Sequence, residues 1–365
     1  MRIFYASERS PNAFIKSDLW RENLYGSLVD LGHDVVELDF DLSETFRHLD
    51  PTSPADRDFI AVNRPAVSRE LLRQLKRAHE AKPIDLFFSY FYDACITPET
   101  IEAIRALGVK TVNWYCNASY QLHLVREIAP KYDWCLVPEK FRLDDYRKLG
   151  ANPLYCQEAA NPRIYHPVDV PQTYDVSFIG QAYGERPEWM AELVKRGIDV
   201  HVFGQGWKRF CEPRVVAAAR RLKRGLTGGA PAPRVRLPRR LVGGVLDDRA
   251  LVEAYSRSKI NLGFATVGST HETGKRIVQV RLRDFEIPMS GGFYIAERFD
   301  ELGEFFEFGK EIETYSSREE LADKIRFYLG NTEARERIRH AGRERCLRHH
   351  TWTKRFADAF ARIGL

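Results

Sequence analysis

At 365 residues the chain is long enough for two α/β domains of ordinary size, each with its own core. Hydrophobic residues at 44% and charged residues at 29% exclude a disordered or membrane-embedded class, and no apolar run nears the roughly 18 residues of a membrane span. A formal net charge of +5 does not by itself indicate nucleic-acid binding and suits small anionic ligands.

Cysteines at 95, 116, 135, 156, 211 and 346 include no Cys-x-x-Cys pair, and no histidines stand at zinc-ligand spacing, so neither a metal knuckle nor a disulfide framework is expected. A reducing, cytoplasmic setting fits this usage. The opening Met1-Arg2-Ile3-Phe4-Tyr5 runs directly into a strand-like stretch, and no signal peptide is expected.

A first strand over 3–6 leads into the polar loop Ser7–Asn12. An amphipathic helix is predicted over Asp18–Leu31, with Ser17 as its N-cap and Leu19, Leu24, Leu28 and Leu31 on one face. Gly32 closes it before a strand over 35–40. The stretch 42–64, rich in Pro, Asp and Ser, reads as a long loop, followed by a helix over 68–81 and a strand over 84–90. Thr97-Pro98-Glu99 opens another helix, and Val109–Tyr115 reads as the next strand. Asn117 follows it at the carboxyl edge, where open α/β sheets bind ligands. Asp93 and His123 lie close by in sequence as further candidates for hydrogen bonding a substrate, although a lone histidine is more often structural. A strand over 133–137 and a helix over 139–149 complete a first domain, and Pro162, Pro167 and Pro171 mark a linker.

The second half repeats the alternation. Tyr174–Gly180 is a strand ending in glycine, Arg186 opens a helix through Lys195, and Gly197–Trp207 holds a second strand running into Gly204-Gln205-Gly206. Arg209 stands where a full Gly-x-Gly-x-x-Gly would need glycine, which weakens a dinucleotide reading. Residues 213–240 are rich in arginine, either a solvated insertion or a patch for a polyanion, without the aromatics that stack bases. A helix over 247–256 and a strand over 259–264 lead to the polar loop 265–276, in which His271, Lys275 and Arg276 could reach phosphates. Arg281-Leu282-Arg283-Asp284-Phe285-Glu286 then reads as a short helix, broken by Pro288 and the Gly291-Gly292 turn before a strand over 293–296. A glutamate here could accept from two ribose hydroxyls, with glycines and arginine forks near a diphosphate; the bland reading is a helix-turn-strand corner. Helices over 318–328 and 332–365 follow, the latter with breaks expected at Gly342 and Thr351–Thr353.

These segments resemble the CgeB-like branch of the GT-B glycosyltransferases and, more distantly, the Glu-Ala-Met-Ala-x-Gly-x-Pro stretch of the family-4 enzymes. The match rests on the 281–301 stretch, on Phe178-x-Gly180 before Arg186, and on Gly204-Gln205-Gly206-Trp207. The resemblance implies two Rossmann-like doubly wound domains facing an interdomain cleft, over 1–165 and 174–350, with a last helix over 351–365 crossing back to the first. It implies a sugar transfer from a nucleoside diphosphate sugar to an acceptor, independent of metal or other cofactor and with retention of configuration. In it Glu286 takes the ribose position, Gly291 and Gly292 the phosphate turn and Arg186 a phosphate or donor contact; the residues themselves offer Arg281, Arg283, Gly180, Gly206, His271, Lys275 and Arg276 as further donor-side candidates. Asp93, Asn117 and His123 are the candidate catalytic residues. Val278 stands where the family-4 pair has its first glutamate. An epimerase or phosphorylase on the same fold, a DNA-modifying sugar transferase and a non-catalytic binding module are the competing readings.

Overall fold

Short strands alternating with helices build two separate, wholly parallel sheets in a computed structural model that describes residues 1–9, 19–211, 235–267 and 276–365. The chain divides into two units, one made of Met1–Asn161 with His350–Leu365 and the other of Pro162–His349.

The first unit holds β1 (Arg2–Ala6), β2 (Asp34–Glu37), β3 (Leu86–Ser89), β4 (Lys110–Trp114), β5 (Trp134–Val137) and β6 (Pro153–Tyr155) in the order β2-β1-β3-β4-β5-β6. The strand order reverses between β1 and β3, where Ile3 pairs with Leu86. Every residue of β3 is buried, as a central parallel strand covered on both faces requires. The helix after β1 begins at Leu19 and passes through a π-helical turn at Glu22–Gly26 before ending at Asp30. Its proposed cap, Ser17, and the loop residues Ser10–Asn12 lie outside the described residues.

One element differs from the sequence reading. In place of a loop up to residue 64, α1 (Pro54–Ala81) is continuous, entered through Pro54 and running past Pro65. Its buried residues are Val67, Ser68, Leu71 and Leu75, so its first turns carry no apolar stripe for periodicity to detect. A shorter helix, α2 (Pro98–Arg105), precedes β4.

The second unit contains β7 (Tyr174–Ile179), α3 (Arg186–Lys195), β8 (Val200–Phe203), α4 (Asp248–Arg257), β9 (Ser258–Gly263), α5 (Leu282–Met289), β10 (Tyr294–Glu297), β11 (Glu313–Tyr315), α6 (Arg318–Gly330) and α7 (Thr332–His349). Its sheet is ordered β11-β10-β9-β7-β8, so the order reverses between β7 and β9. Val176, Phe178, Val202, Ile260 and Leu262 from the strands pack with Met190, Leu193, Leu321, Ile325 and Ile338 from the helices. The basic stretch 213–240 falls mostly outside the described residues; Arg240, at its end, forms a surface ion pair with Asp199.

Gly342 does not break α7. A Cβ there would lie 2.2 Å from the backbone oxygen of Glu311, so glycine lets the helix press against that loop. The break comes at Thr351, whose side chain caps α8 (Trp352–Arg362) by accepting from Lys354 N. This last helix belongs to the first unit, with the Phe356 ring 5.3 Å from Phe88 and Trp352 5.2 Å from Trp114. Among the described residues no helix is long and apolar enough to cross a membrane.

Candidate functional site

The strand order reverses between β7 and β9, and doubly wound sheets take ligands in the crevice at the carboxyl ends of the strands at such a reversal. β7 delivers Gly180 to this edge and β8 delivers Gly204 and Gly206. Gly180 and Gly204 are shaped by close approach. A Cβ on Gly180 would stand 2.7 Å from Arg283 Nη2 and 2.8 Å from the Phe178 ring, and one on Gly204 would stand 2.5 Å from Gly180 O. Gly204 and Gly206 also take positive φ, +125° and +84°, which only glycine holds without strain.

Three arginines converge on this edge. Arg186 is the first residue of α3, Arg281 precedes α5, and Arg283 lies in its first turn. Since α5 runs back across the sheet, its amino end sits at the carboxyl edge of the strands. Aromatic rings rather than carboxylates hold the guanidinium groups. That of Arg186 lies 3.9 Å from the Tyr183 ring centre and 5.2 Å from that of Phe178, and that of Arg283 lies 5.4 Å from Phe178. Arg281 Nη2 donates to Tyr183 Oη at 3.2 Å and to Thr266 O at 3.1 Å.

Donor capacity is left over. Arg186 Nε, Arg281 Nε and both Nε and Nη1 of Arg283 are buried without a hydrogen-bond partner among the described residues. None of the three arginines forms an ion pair with a described carboxylate. Burial, then the charge of Arg283 and of Arg281, pulls the Arg186 pKa down to about 9, the mark of a guanidinium crowded by like charge. Such an arrangement has the donors and the charge to receive a polyanion.

Glu297, at the end of β10, braces the same edge. Its buried carboxylate accepts from Ala265 N at 2.9 Å and Thr266 N at 3.2 Å, and it pairs with Arg276. Arg276 is thereby committed to an ion pair, while His271 and Lys275 lie outside the described residues. Glu297 escaped the sequence reading; an acid placed directly after a buried strand was its only signal.

Two other expectations need correction. The Gly291-Gly292 turn precedes β10 and therefore sits at the amino edge of the sheet, opposite the arginines. Its glycines serve packing: a Cβ on Gly291 would lie 2.9 Å from Pro167, and one on Gly292 2.8 Å from Asn261 Nδ2. Glu286, only 5% exposed, spends its carboxylate on Tyr165 Oη at 2.6 Å and Tyr255 Oη at 3.2 Å rather than presenting it to the crevice. Burial pushes its pKa up to about 7 against those two hydroxyls and nearby Arg283.

In the first unit, Asp93 is buried and its carboxylate caps the backbone N–H groups of Glu127 and Ile128 at 3.2 and 3.1 Å. Burial raises its pKa to about 6. Asn117 does stand just past β4, donating to the hydroxyls of Tyr90 and Tyr92 at 3.4 Å and accepting from Tyr120 Oη at 3.2 Å. His123 is half-buried in the 3₁₀ turn Leu122–Val125. A buried carboxyl that the sequence reading passed over, Glu139, follows β5 and is pushed up to about 7 by burial.

Residues 186–361 match the family model described as glycosyl transferase-like. This stretch starts at the first of the three arginines. The fold, two parallel-sheet Rossmann-like units, is that of GT-B glycosyltransferase structures. Among solved structures, a sucrose-phosphate synthase from Thermosynechococcus elongatus is similar at 14% identity and a TM-score of 0.58, covering 99% of this chain and 98% of its own. A glycosyltransferase from Rickettsia africae matches at 10% identity and a TM-score of 0.57, over 99% and 97% of the two chains. Anabaena HepE, solved with UDP-glucose, matches at 11% identity and a TM-score of 0.54, over 100% and 99%. No curated protein matches the chain significantly by sequence.

Proposed function

We propose that this GT-B chain transfers a sugar from a nucleoside diphosphate sugar to an acceptor, with the diphosphate held by Arg186, Arg281 and Arg283. The observation that carries the reading is the buried, unpartnered N–H groups of these arginines at the point where the strand order reverses. Guanidinium forks match the geometry of phosphate oxygens, and rings beneath them keep that geometry fixed before the ligand arrives. As the glycosidic bond breaks, negative charge grows on the departing diphosphate. Three fixed cations stabilise that charge more than they stabilise the bound donor, which is the condition for accelerating the step.

Because the countercharge comes from side chains, the reaction is proposed to need no resident metal. The likeness to family-4 enzymes supports retention of configuration, and the Phe178-x-Gly180 and Gly204–Trp207 motifs support the CgeB-like branch. The UDP-glucose bound by the HepE neighbour makes uridine diphosphate sugars the first donors to try.

The test is calorimetric titration of nucleoside diphosphates and their sugars in the presence of a chelator, followed by release of the diphosphate from a labelled donor. Wild-type protein is expected to bind at least one of them, and Arg186→Ala and Arg283→Ala to weaken that binding at least about tenfold each, from the loss of charge-assisted hydrogen bonds. Unchanged affinity in both variants would refute the site.

A further inference from the structure

Resting on that reading of the arginines, we propose that Tyr183 is the positioning residue of the phosphate site, holding Arg186 by its ring and Arg281 by its hydroxyl. Tyr183 lies in the loop between β7 and α3 and is half-buried. Its ring centre is 3.9 Å from the Arg186 guanidinium carbon, the shortest of the cation–ring distances around this cluster. Its hydroxyl accepts from Arg281 Nη2 at 3.2 Å and reaches Thr266 O at 3.5 Å. A single side chain therefore touches two of the three cations and the loop leaving β9.

Two like charges this close repel, and neither has a described carboxylate to hold it. Arg186 keeps one backbone acceptor, Gln181 O at 3.0 Å, and Arg281 keeps the carbonyls of Ala265 and Thr266. Carbonyls on one edge fix where a guanidinium is anchored but not the tilt of its plane. With the Arg186 guanidinium carbon over the Tyr183 ring at 3.9 Å from its centre, that ring is the surface that limits the tilt. The hydroxyl sets the distance between the arginines by pinning Arg281 to the same side chain. Bidentate phosphate recognition depends on both quantities, since a fork turned out of plane loses one of its two hydrogen bonds.

The arrangement separates the ring from the hydroxyl. Tyr183→Phe keeps the stacking and removes the Arg281 contact; Tyr183→Leu removes both. Binding of inorganic pyrophosphate, and of the tightest nucleoside diphosphate with its parent nucleoside, is measured by calorimetry for wild type, these two variants and Arg186→Ala. Expected losses for the two phosphate ligands are about threefold in the Phe variant and about thirtyfold in the Leu variant, with nucleoside affinity and thermal melting near wild type. In turnover, the Leu variant is expected to raise the donor KM and to lower kcat as well, because misaligned cations also serve the leaving group less well.

Equal affinity of wild type and the Leu variant for both phosphate ligands, with Arg186→Ala still impaired, overturns the role of Tyr183 and leaves the arginine site standing. A Leu variant that loses nucleoside and diphosphate affinity in the same proportion also overturns it, because the effect is then not directed at phosphate. If wild type and Arg186→Ala bind pyrophosphate and the diphosphate alike, the underlying site is wrong and the inference goes with it.

Discussion

Tyr165 Oη donates a 2.6 Å hydrogen bond to Glu286 Oε1, tying the segment that enters the second unit to the middle of α5. Tyr255 Oη, from α4, reaches the other carboxylate oxygen at 3.2 Å. Glu286 is thus a buried acceptor shared by two tyrosines, and its substitution is a stability experiment. Alanine leaves two buried hydroxyls without an acceptor, which costs about 2–4 kcal/mol, whereas glutamine retains one acceptor and supplies a donor. Denaturant melts at pH 7 should rank wild type and Glu286→Gln close together and Glu286→Ala far below.

The same carboxyl makes a pH prediction with a definite sign. Its pKa is raised by burial from the ordinary 4.5 to about 7, so its contribution is complete below about pH 4.5 and is lost as pH rises through about 7. Above pH 8 a buried charge must be carried by wild type and not by Glu286→Gln. The variant should therefore gain about 1–3 kcal/mol on wild type between pH 5 and pH 8.5. Comparing the two proteins removes the parallel contributions of Asp93 and Glu139, which burial also raises, to about 6 and about 7. A difference between variant and wild type that stays constant over this range would contradict the assignment.

Gly180→Ala tests the arginine cluster from below. The added methyl would lie 2.7 Å from Arg283 Nη2 and 2.8 Å from a ring carbon of Phe178. The guanidinium is the end of a flexible side chain and gives way more easily than a ring in the core, so Arg283 is displaced. We expect a loss of about 1–2 kcal/mol in stability from the strain, and a loss of about tenfold or more in nucleoside diphosphate affinity. Unchanged affinity in a folded Gly180→Ala protein would show that Arg283 does not contact the ligand.

What the sequence made legible follows from how local each signal is. Gly180 and Gly204 announce themselves because a strand that runs into glycine at a sheet edge is a pattern of neighbouring residues. Arg186 and Arg283 are legible for the same reason, standing in the first turns of helices whose strands are already recognised. The partner of Glu286 is not local: Tyr165 is 121 residues away, and spacing within 281–301 carries no trace of it. Gly291 and Gly292 look like phosphate-binding glycines in isolation. Only the direction of β10 places them at the opposite edge, against Pro167 and Asn261. Likewise α1 hides in a polar stretch because its first turns bury almost nothing.

Gly342→Ala sets helix propensity directly against tertiary packing. In an exposed helix interior the change from glycine to alanine stabilises by about 1 kcal/mol, and Gly342 lies well inside α7. Here the new Cβ would stand 2.2 Å from Glu311 O and 3.5 Å from Pro288 Cβ. The first contact is with backbone, which cannot rotate away, so α7 must move off the loop before β11 or the loop must distort. Both routes also disturb Arg345 Nε, which donates to Phe305 O at 2.8 Å from the same helix. Packing is expected to win, with a net loss of about 2–4 kcal/mol in denaturant unfolding. Hydrogen exchange should show the loss centred on 305–313 and on α7, with α8 and β3 in the first unit unchanged. A Gly342→Ala protein as stable as wild type would mean that the helix and the loop do not meet this closely.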